Sequence, residues 1–161
     1  MLLYWEAPWR AGEAPTCGYT MEVKKKVQVY LFRRRRNCAV EFLLLKRAQE
    51  LRGFWQPVTG TVEEGEIPRQ AARREVREET GLEKFHRVVG PVYSFTFVKN
   101  CIEFHEEVYG AEIGEAEITL SSEHTEYRWV SLKEALELLL YVQNKRGLSR
   151  LEKQLRRDGI G

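Results

Sequence analysis

The 161-residue chain has only three cysteines, Cys17, Cys38 and Cys101. Their number is odd, their spacing is wide, and no Cys-x-x-Cys pair exists, so a disulfide framework and a thiolate metal site are both excluded as organising principles. Reduced thiols in a cytosol are the expectation. No run of eighteen apolar residues exists, and the N-terminus lacks a basic stretch followed by an apolar one, so neither membrane insertion nor export is expected. Charge of one sign is lacking too. Lys and Arg number 26 against 24 Asp and Glu, a formal net charge of +2, and nothing global calls for nucleic acid or a membrane surface. No internal repeat or low-complexity tract stands out. What remains is 43% hydrophobic and 31% charged, the composition of one globular domain with a full core.

The first twenty residues differ from the rest. Pro8, Gly12, Pro15 and Gly18 break any periodicity around Trp5 and Trp9. Residues 1–20 are read as an irregular extension. Either its tryptophans pack on the domain, or the chain naturally starts at Met21. Residues 21–161 are read as the single domain.

Val27, Val29 and Leu31 alternate within Val23 to Phe32, a strand pattern. Arg33 to Arg36 follow, read as a solvated hairpin turn rather than a nucleic-acid patch. Ala39 to Leu45 is a near-continuous apolar run, read as a buried strand. Lys46 to Gly53 is a polar connection, and Phe54 to Thr59 a further strand. Val88 to Val98, interrupted near Gly90-Pro91, Glu106 to Ile113 and Glu126 to Val130 are later strands, with Glu115 to Ser122 as a loop or short strand between the last two. Ser131 and Glu134 form a capping box that opens a helix ending at Gly147. Ser149 and Glu152 repeat the pattern for a last short helix.

The densest chemistry lies from Gly60 to Leu82. Gly60 and Gly65 sit in a loop with Glu63, Glu64 and Glu66. Pro68 is suited to a first helical turn. No Gly or Pro follows until Gly81 supplies the stop. At 3.6 residues per turn, Ala72 and Val76 share one face, and Glu75 and Glu79 another, with Glu78 alongside. Like charges four residues apart destabilise a helix by roughly 0.2–0.5 kcal/mol per pair. A hard divalent cation offsets that repulsion, and magnesium pairs with one or two carboxylates plus substrate phosphates. The plain alternative is a surface helix neutralised by Arg69, Arg73, Arg74 and Arg77.

This stretch resembles the Nudix box, Gly-x5-Glu-x7-Arg-Glu-U-x-Glu-Glu-x-Gly-U, with U a bulky aliphatic residue. Gly60, Glu66, Arg74, Glu75, Val76, Glu78, Glu79, Gly81 and Leu82 fill every fixed position. The resemblance covers about residues 21–147. It implies an α/β fold, a Nudix-type α/β/α sandwich with a mixed β-sheet and the Nudix loop-helix. It also implies phosphoanhydride hydrolysis with Mg2+, with Mn2+ as a substitute. By motif position, Glu75, Glu78 and Glu79 are metal ligands and the carbonyl of Gly60 a further one. Arg74 orients a glutamate and Glu66 braces the loop.

In this family the general base is either a box glutamate, here Glu75 or Glu78, or a carboxylate on a later loop. The later candidate is Glu123, six residues before Trp129. His124 beside it is a weaker candidate for phosphate contact. Of Glu106 and Glu107 at most one can face a site on their strand. Lys46 and Arg47 are candidates for phosphate, and Phe54 and Tyr127, with Trp55 and Phe95, for a flat base.

The phrase Phe54 to Glu66 is similar to dihydroneopterin triphosphate pyrophosphatases and related dATP pyrophosphohydrolases, which implies a nucleoside or pterin triphosphate substrate. Glu41 to Leu45 and Glu123 to Trp129 resemble diadenosine tetraphosphate hydrolases, the rival reading. A non-catalytic nucleotide-binding module is a third reading, and an RNA-end hydrolase using the arginine run a fourth. A homodimer is left open.

Overall fold

A computed structural model describes residues 22–36, 39–49 and 53–160. The readings on residues 1–20, Cys17 and Cys38 lie outside them. The elements run β1 (Glu22–Arg34), β2 (Val40–Arg47), β3 (Trp55–Gln56), β4 (Val58–Thr61), α1 (Pro68–Thr80), β5 (Arg87–Lys99), β6 (Ile102–Glu112), β7 (His124–Val130), α2 (Leu132–Leu138) and α3 (Val142–Arg157).

β1 is central because its sequence is apolar on both faces. Val27, Val29 and Leu31 face α1 and pack with Val58, Ala72, Val76 and Tyr109. Tyr30 and Phe32 face the opposite way and pack with Val108, Leu148, Leu151 and Leu155. A strand buried on both sides needs a helical layer over each. The result is an α/β/α sandwich around a mixed seven-stranded sheet. The strand path is β3-β2-β1-β6-β5, with β4 joined to β1 and β7 to β2. β1 and β6 are parallel, from Glu22 opposite Ile102 to Phe32 opposite Glu112. The remaining pairs are antiparallel.

One edge of β1 is shared by two strands. Lys26 to Val29 pair with β4, and Phe32 to Arg34 pair with β2. That division brings Gly60, opposite Val27, against Glu75 of α1.

Several element readings are corrected. Arg33 and Arg34 belong to β1 rather than to a solvated turn. Arg33 donates to Glu41 at 2.8 Å and lies over the Trp129 ring, while Arg34 donates to Glu112 at 2.8 Å. Carboxylates on neighbouring strands neutralise the run. β2 reaches Arg47, two residues into the expected connection. β6 begins at Ile102, well before Glu106, because Asn100 and Cys101, both at positive φ, turn the chain tightly after β5. β5 runs through Gly90-Pro91 as one strand, with its register shifting between Val89 and Tyr93.

The C-terminal helices divide differently from the expectation. Ser131 does cap α2, accepting from the Glu134 amide while Glu134 accepts from the Ser131 amide. α2 stops early, however. Leu139 adopts extended backbone and bridges to Trp55 of β3. α3 then runs unbroken through Gly147 and Ser149. Ser149 donates its hydroxyl to the Lys145 carbonyl instead of capping a helix. Gly147 is retained by packing. A Cβ there would lie 3.1 Å from both Val108 methyls and 3.2 Å from Gln28 Oε1. Close helix–sheet approach outweighs the ordinary helix-stopping tendency of glycine.

Candidate active site

α1 begins with Pro68 and ends at Gly81 in the left-handed conformation, whose amide donates to the Arg77 carbonyl. Its inward face, Ala71, Ala72 and Val76, is buried in the core. That seating fixes how its charged residues stand. Arg74 is the hub. Its Nε and Nη2 grip the two oxygens of Glu66, each at 3.0 Å. Its Nη1 donates to Glu75 at 2.7 Å and Glu78 at 3.1 Å, and Nη2 also donates to the Thr61 carbonyl at 2.9 Å. One planar guanidinium thus ties the loop to two glutamates of the helix, a geometry lysine cannot reproduce. Glu66 also accepts from the Glu63 amide at 3.1 Å. The Arg74 hydrogen bonds hold the Glu66 carboxyl below its usual range.

Glu75 and Glu79 are in the opposite condition. Burial pushes the Glu75 carboxyl up, against the pull of Arg74, with Glu78 and Glu123 adding repulsion. Glu79 is 6% exposed, and desolvation followed by repulsion from Glu75 lifts it to about 8. Its Oε2 is buried without a hydrogen-bond partner. Gly60 is pressed against the Glu75 carboxyl: a Cβ there would fall 1.8 Å from Glu75 Cδ.

The loop before β7 closes over the end of α1. The Ser121 amide donates to the Glu79 carbonyl at 3.2 Å, and the Ala48 amide to the Glu123 carbonyl at 2.8 Å. Glu123 is exposed and stands 3.4 Å from Arg47. Its charge acts on both Glu75 and Glu79. The structure therefore gathers Arg74, Glu75, Glu78 and Glu79 of α1 with Gly60, Arg47 and Glu123 from β4, β2 and the loop before β7.

Other candidates stand elsewhere. Lys46 alternates with Arg47 on β2, pairs with Glu126 at 3.5 Å and lies 5.8 Å from the Trp55 ring centre. It lies on the face away from the carboxylates, whereas Arg47 stands beside Glu123. Phe54 meets Tyr141 edge to face at 5.1 Å. Tyr127 is 40% exposed on β7, opposite Leu45. Glu107 bonds the Tyr109 hydroxyl. Glu106 is buried opposite Lys26 and Phe95. His124 is fully buried, which removes the expected phosphate contact. Gln56 and Ser121, its neighbours at 3.4 Å each, carry no motif signal.

Among the described residues, no three His, Cys, Asp or Glu side chains already stand close enough to cage a cation. Arg74 occupies part of that space, bonded to Glu75 and Glu78. The donor set nonetheless fits a hard cation. It offers carboxylate oxygens, one of them buried and unpartnered on Glu79, beside a glycine that leaves room for close approach.

Comparison with known proteins places the chain in a family. The NUDIX domain family model matches residues 24–151. A mouse protein named bis(5'-nucleosyl)-tetraphosphatase (asymmetrical) is 35% identical over 116 residues, spanning 68% of this chain and 76% of its own. A Haemophilus influenzae dihydroneopterin triphosphate diphosphatase is 29% identical over 128 residues, 71% of this chain and 81% of its own. The chain also spans 28% of the length of a Myxococcus xanthus protein named octanoyltransferase, at 38% identity over 104 residues. In solved structures, the fold is shared with a C. elegans Ap4A hydrolase, at a TM-score of 0.72 and 23% identity, over 83% of this chain and 98% of that one. With the box residues assembled on α1 and the family model covering most of the chain, the protein belongs to the NUDIX domain family.

Proposed function

We propose that the protein is a divalent-metal-dependent pyrophosphohydrolase that cleaves a nucleoside or pterin triphosphate to the monophosphate and pyrophosphate. The observation that carries this is the crowding of Glu75, Glu79 and Glu123, with burial raising the first two and Glu79 Oε2 left unpartnered. Such crowding is unfavourable in the bare protein and is relieved by a cation.

Glu75, Glu78 and Glu79, with the Gly60 carbonyl, would hold the metal. When bound, magnesium supplies charge neutralisation on the phosphate oxygens and a more acidic water. Arg74 keeps Glu75 and Glu78 in place from the loop side. Glu123 sits at the exposed rim and accepts a proton from the attacking water. The remaining hydroxide bonds to phosphorus while the bridging P–O bond breaks and pyrophosphate leaves. Arg47, 3.4 Å from Glu123, is placed to meet the phosphate chain.

The similarity of the Haemophilus relative supports the triphosphate reading. A second reading, hydrolysis of diadenosine tetraphosphate, is supported by the 35% identity to the mouse protein. Product analysis with magnesium on dihydroneopterin triphosphate, dATP and diadenosine tetraphosphate separates them. Pyrophosphate from either triphosphate, with the dinucleotide untouched, supports the first. Preferential cleavage of the dinucleotide to ATP and AMP supports the second. Binding without cleavage of all three would overturn both.

A further inference from the structure

His124 is buried directly behind Glu79. Its side chain is 0% exposed, and its Nε2 stands 3.7 Å from Glu79 Oε2, the carboxylate oxygen without a hydrogen-bond partner. On its other side Nδ1 lies 3.4 Å from Ser121 Oγ, and the Gln56 amide lies 3.4 Å from Nε2. The ring is thus held by β3 and by the loop before β7, and it faces the end of α1. The His124 amide donates to the Ser121 carbonyl at 3.2 Å, which fixes the ring relative to the loop carrying Glu123.

We infer that His124 is a positioning residue for Glu79. As a neutral imidazole protonated on Nε2, it directs its N–H at Glu79 Oε2 and aims the carboxylate toward the metal. The other tautomer would set a nitrogen lone pair against a carboxylate that a bound cation would keep ionised, which is unfavourable in a buried site. With Nε2 protonated, Nδ1 accepts from the Ser121 hydroxyl. The Gln56 amide has nearly the same outline either way round, so its carbonyl can share the Nε2 proton. Burial favours the neutral ring. At 3.7 Å the contact is longer than a hydrogen bond, and the proposed role requires it to shorten when Glu79 takes a cation. Outer partners of this kind change metal affinity by about 10–100-fold when removed. The arrangement also joins Glu79 to Glu123 through one loop, so the cation site and the rim carboxylate are set together.

This inference rests on Glu79 being a metal ligand. The test therefore compares Glu79→Gln, His124→Leu, His124→Asn and the Glu79→Gln/His124→Leu double variant. Mn2+ affinity is read by electron paramagnetic resonance and melting temperature in chelator. The expected result is a loss of affinity of about 10–100-fold in His124→Leu, a smaller loss in His124→Asn, which keeps a donor, and no further loss when His124→Leu is added to Glu79→Gln. Substrate KM at saturating metal stays near the wild-type value. A lowered melting temperature with unchanged Mn2+ affinity in both His124 variants would overturn the inference and leave His124 as a core residue. Additive losses in the double variant would overturn it as well, because His124 would then act elsewhere. Unchanged affinity in Glu79→Gln would instead overturn the metal-ligand reading beneath it.

Discussion

Glu106 and Gly60 carry the sharpest expectations for single side chains. Glu106 is 7% exposed and burial lifts its carboxyl to about 7, offset only in part by Lys26. Its folded pKa lies above its unfolded one, so the folded state holds the extra proton between about pH 4.5 and 7. Stability from this group is therefore lost as pH rises through that window. Glu106→Gln should be more stable than wild type at pH 8, by on the order of 2 kcal/mol, and little changed at pH 4.5. Urea titration at the two pH values measures this. At Gly60, a Cβ would occupy the space of the Glu75 carboxyl. Gly60→Ala should leave the melting temperature nearly unchanged, because Glu75 can swing away. It should lower metal affinity by about 10–100-fold by displacing one of the proposed ligands, as read by Mn2+ titration. The Gly60–Glu75 neighbourhood was legible in the sequence because motif spacing holds the two together. The His124–Glu79 neighbourhood was not. His124 lies 45 residues after Glu79, beyond β5 and β6, and the gap is closed by tertiary contacts, the pairing of β2 with β7 and the Ser121 amide on the Glu79 carbonyl.

At the scale of elements, the position of α3 against the sheet depends on Gly147. Gly147→Val should destabilise the protein by about 1–3 kcal/mol, since the new atoms meet the Val108 methyls and the Gln28 amide with no room to yield. Equilibrium unfolding measures the loss, and an unchanged midpoint would show that the helix shifts freely. α1 was readable from Pro68 to Gly81 because its start, stop and apolar face are all local signals. The end of α2 was not readable. Leu139 and Leu140 continue the helical apolar pattern, and the break arises from a bridge to Trp55, more than eighty residues earlier in the chain. Strand existence in β1, β2 and β7 followed from alternation and apolar runs. The early start of β6 was masked by its polar residues, with Glu103, His105 and Glu107 on one face and Glu106 and Glu112 on the other.

For the whole molecule, the account ties stability to metal and pH together. In chelator, Glu79 holds a proton in the folded state between about pH 4.5 and 8, so stability falls as pH rises across that range. Glu106 adds the same trend up to about pH 7 but stands on the face away from α1, packed with Phe95 and Lys26. Saturating Mg2+ should therefore raise the melting temperature more at pH 8.5 than at pH 6, because a proton competes with the cation at Glu79. At a free metal concentration 100 times its dissociation constant, the stabilisation is about 2.7 kcal/mol. Differential scanning calorimetry at both pH values, with Mg2+ and with chelator, checks the sign. The sandwich fold and the family were legible in the box and the strand pattern. Substrate choice was not, because the aromatic candidates for a base, Phe54, Trp55, Phe95 and Tyr127, come from separate parts of the chain, and their surroundings depend on tertiary packing, as Phe54 shows by meeting Tyr141.

The carboxylates of α1 are proposed to carry metal-dependent hydrolysis of a phosphoanhydride. The most direct measurement is the turnover of the best of the three substrates at saturating Mg2+, wild type against Glu78→Gln. Glu78 is exposed and bonded to Arg74, so the fold should survive the change. The account predicts a fall in kcat of at least about 100-fold with the melting temperature in chelator unchanged. Wild-type turnover in a folded Glu78→Gln protein would contradict it.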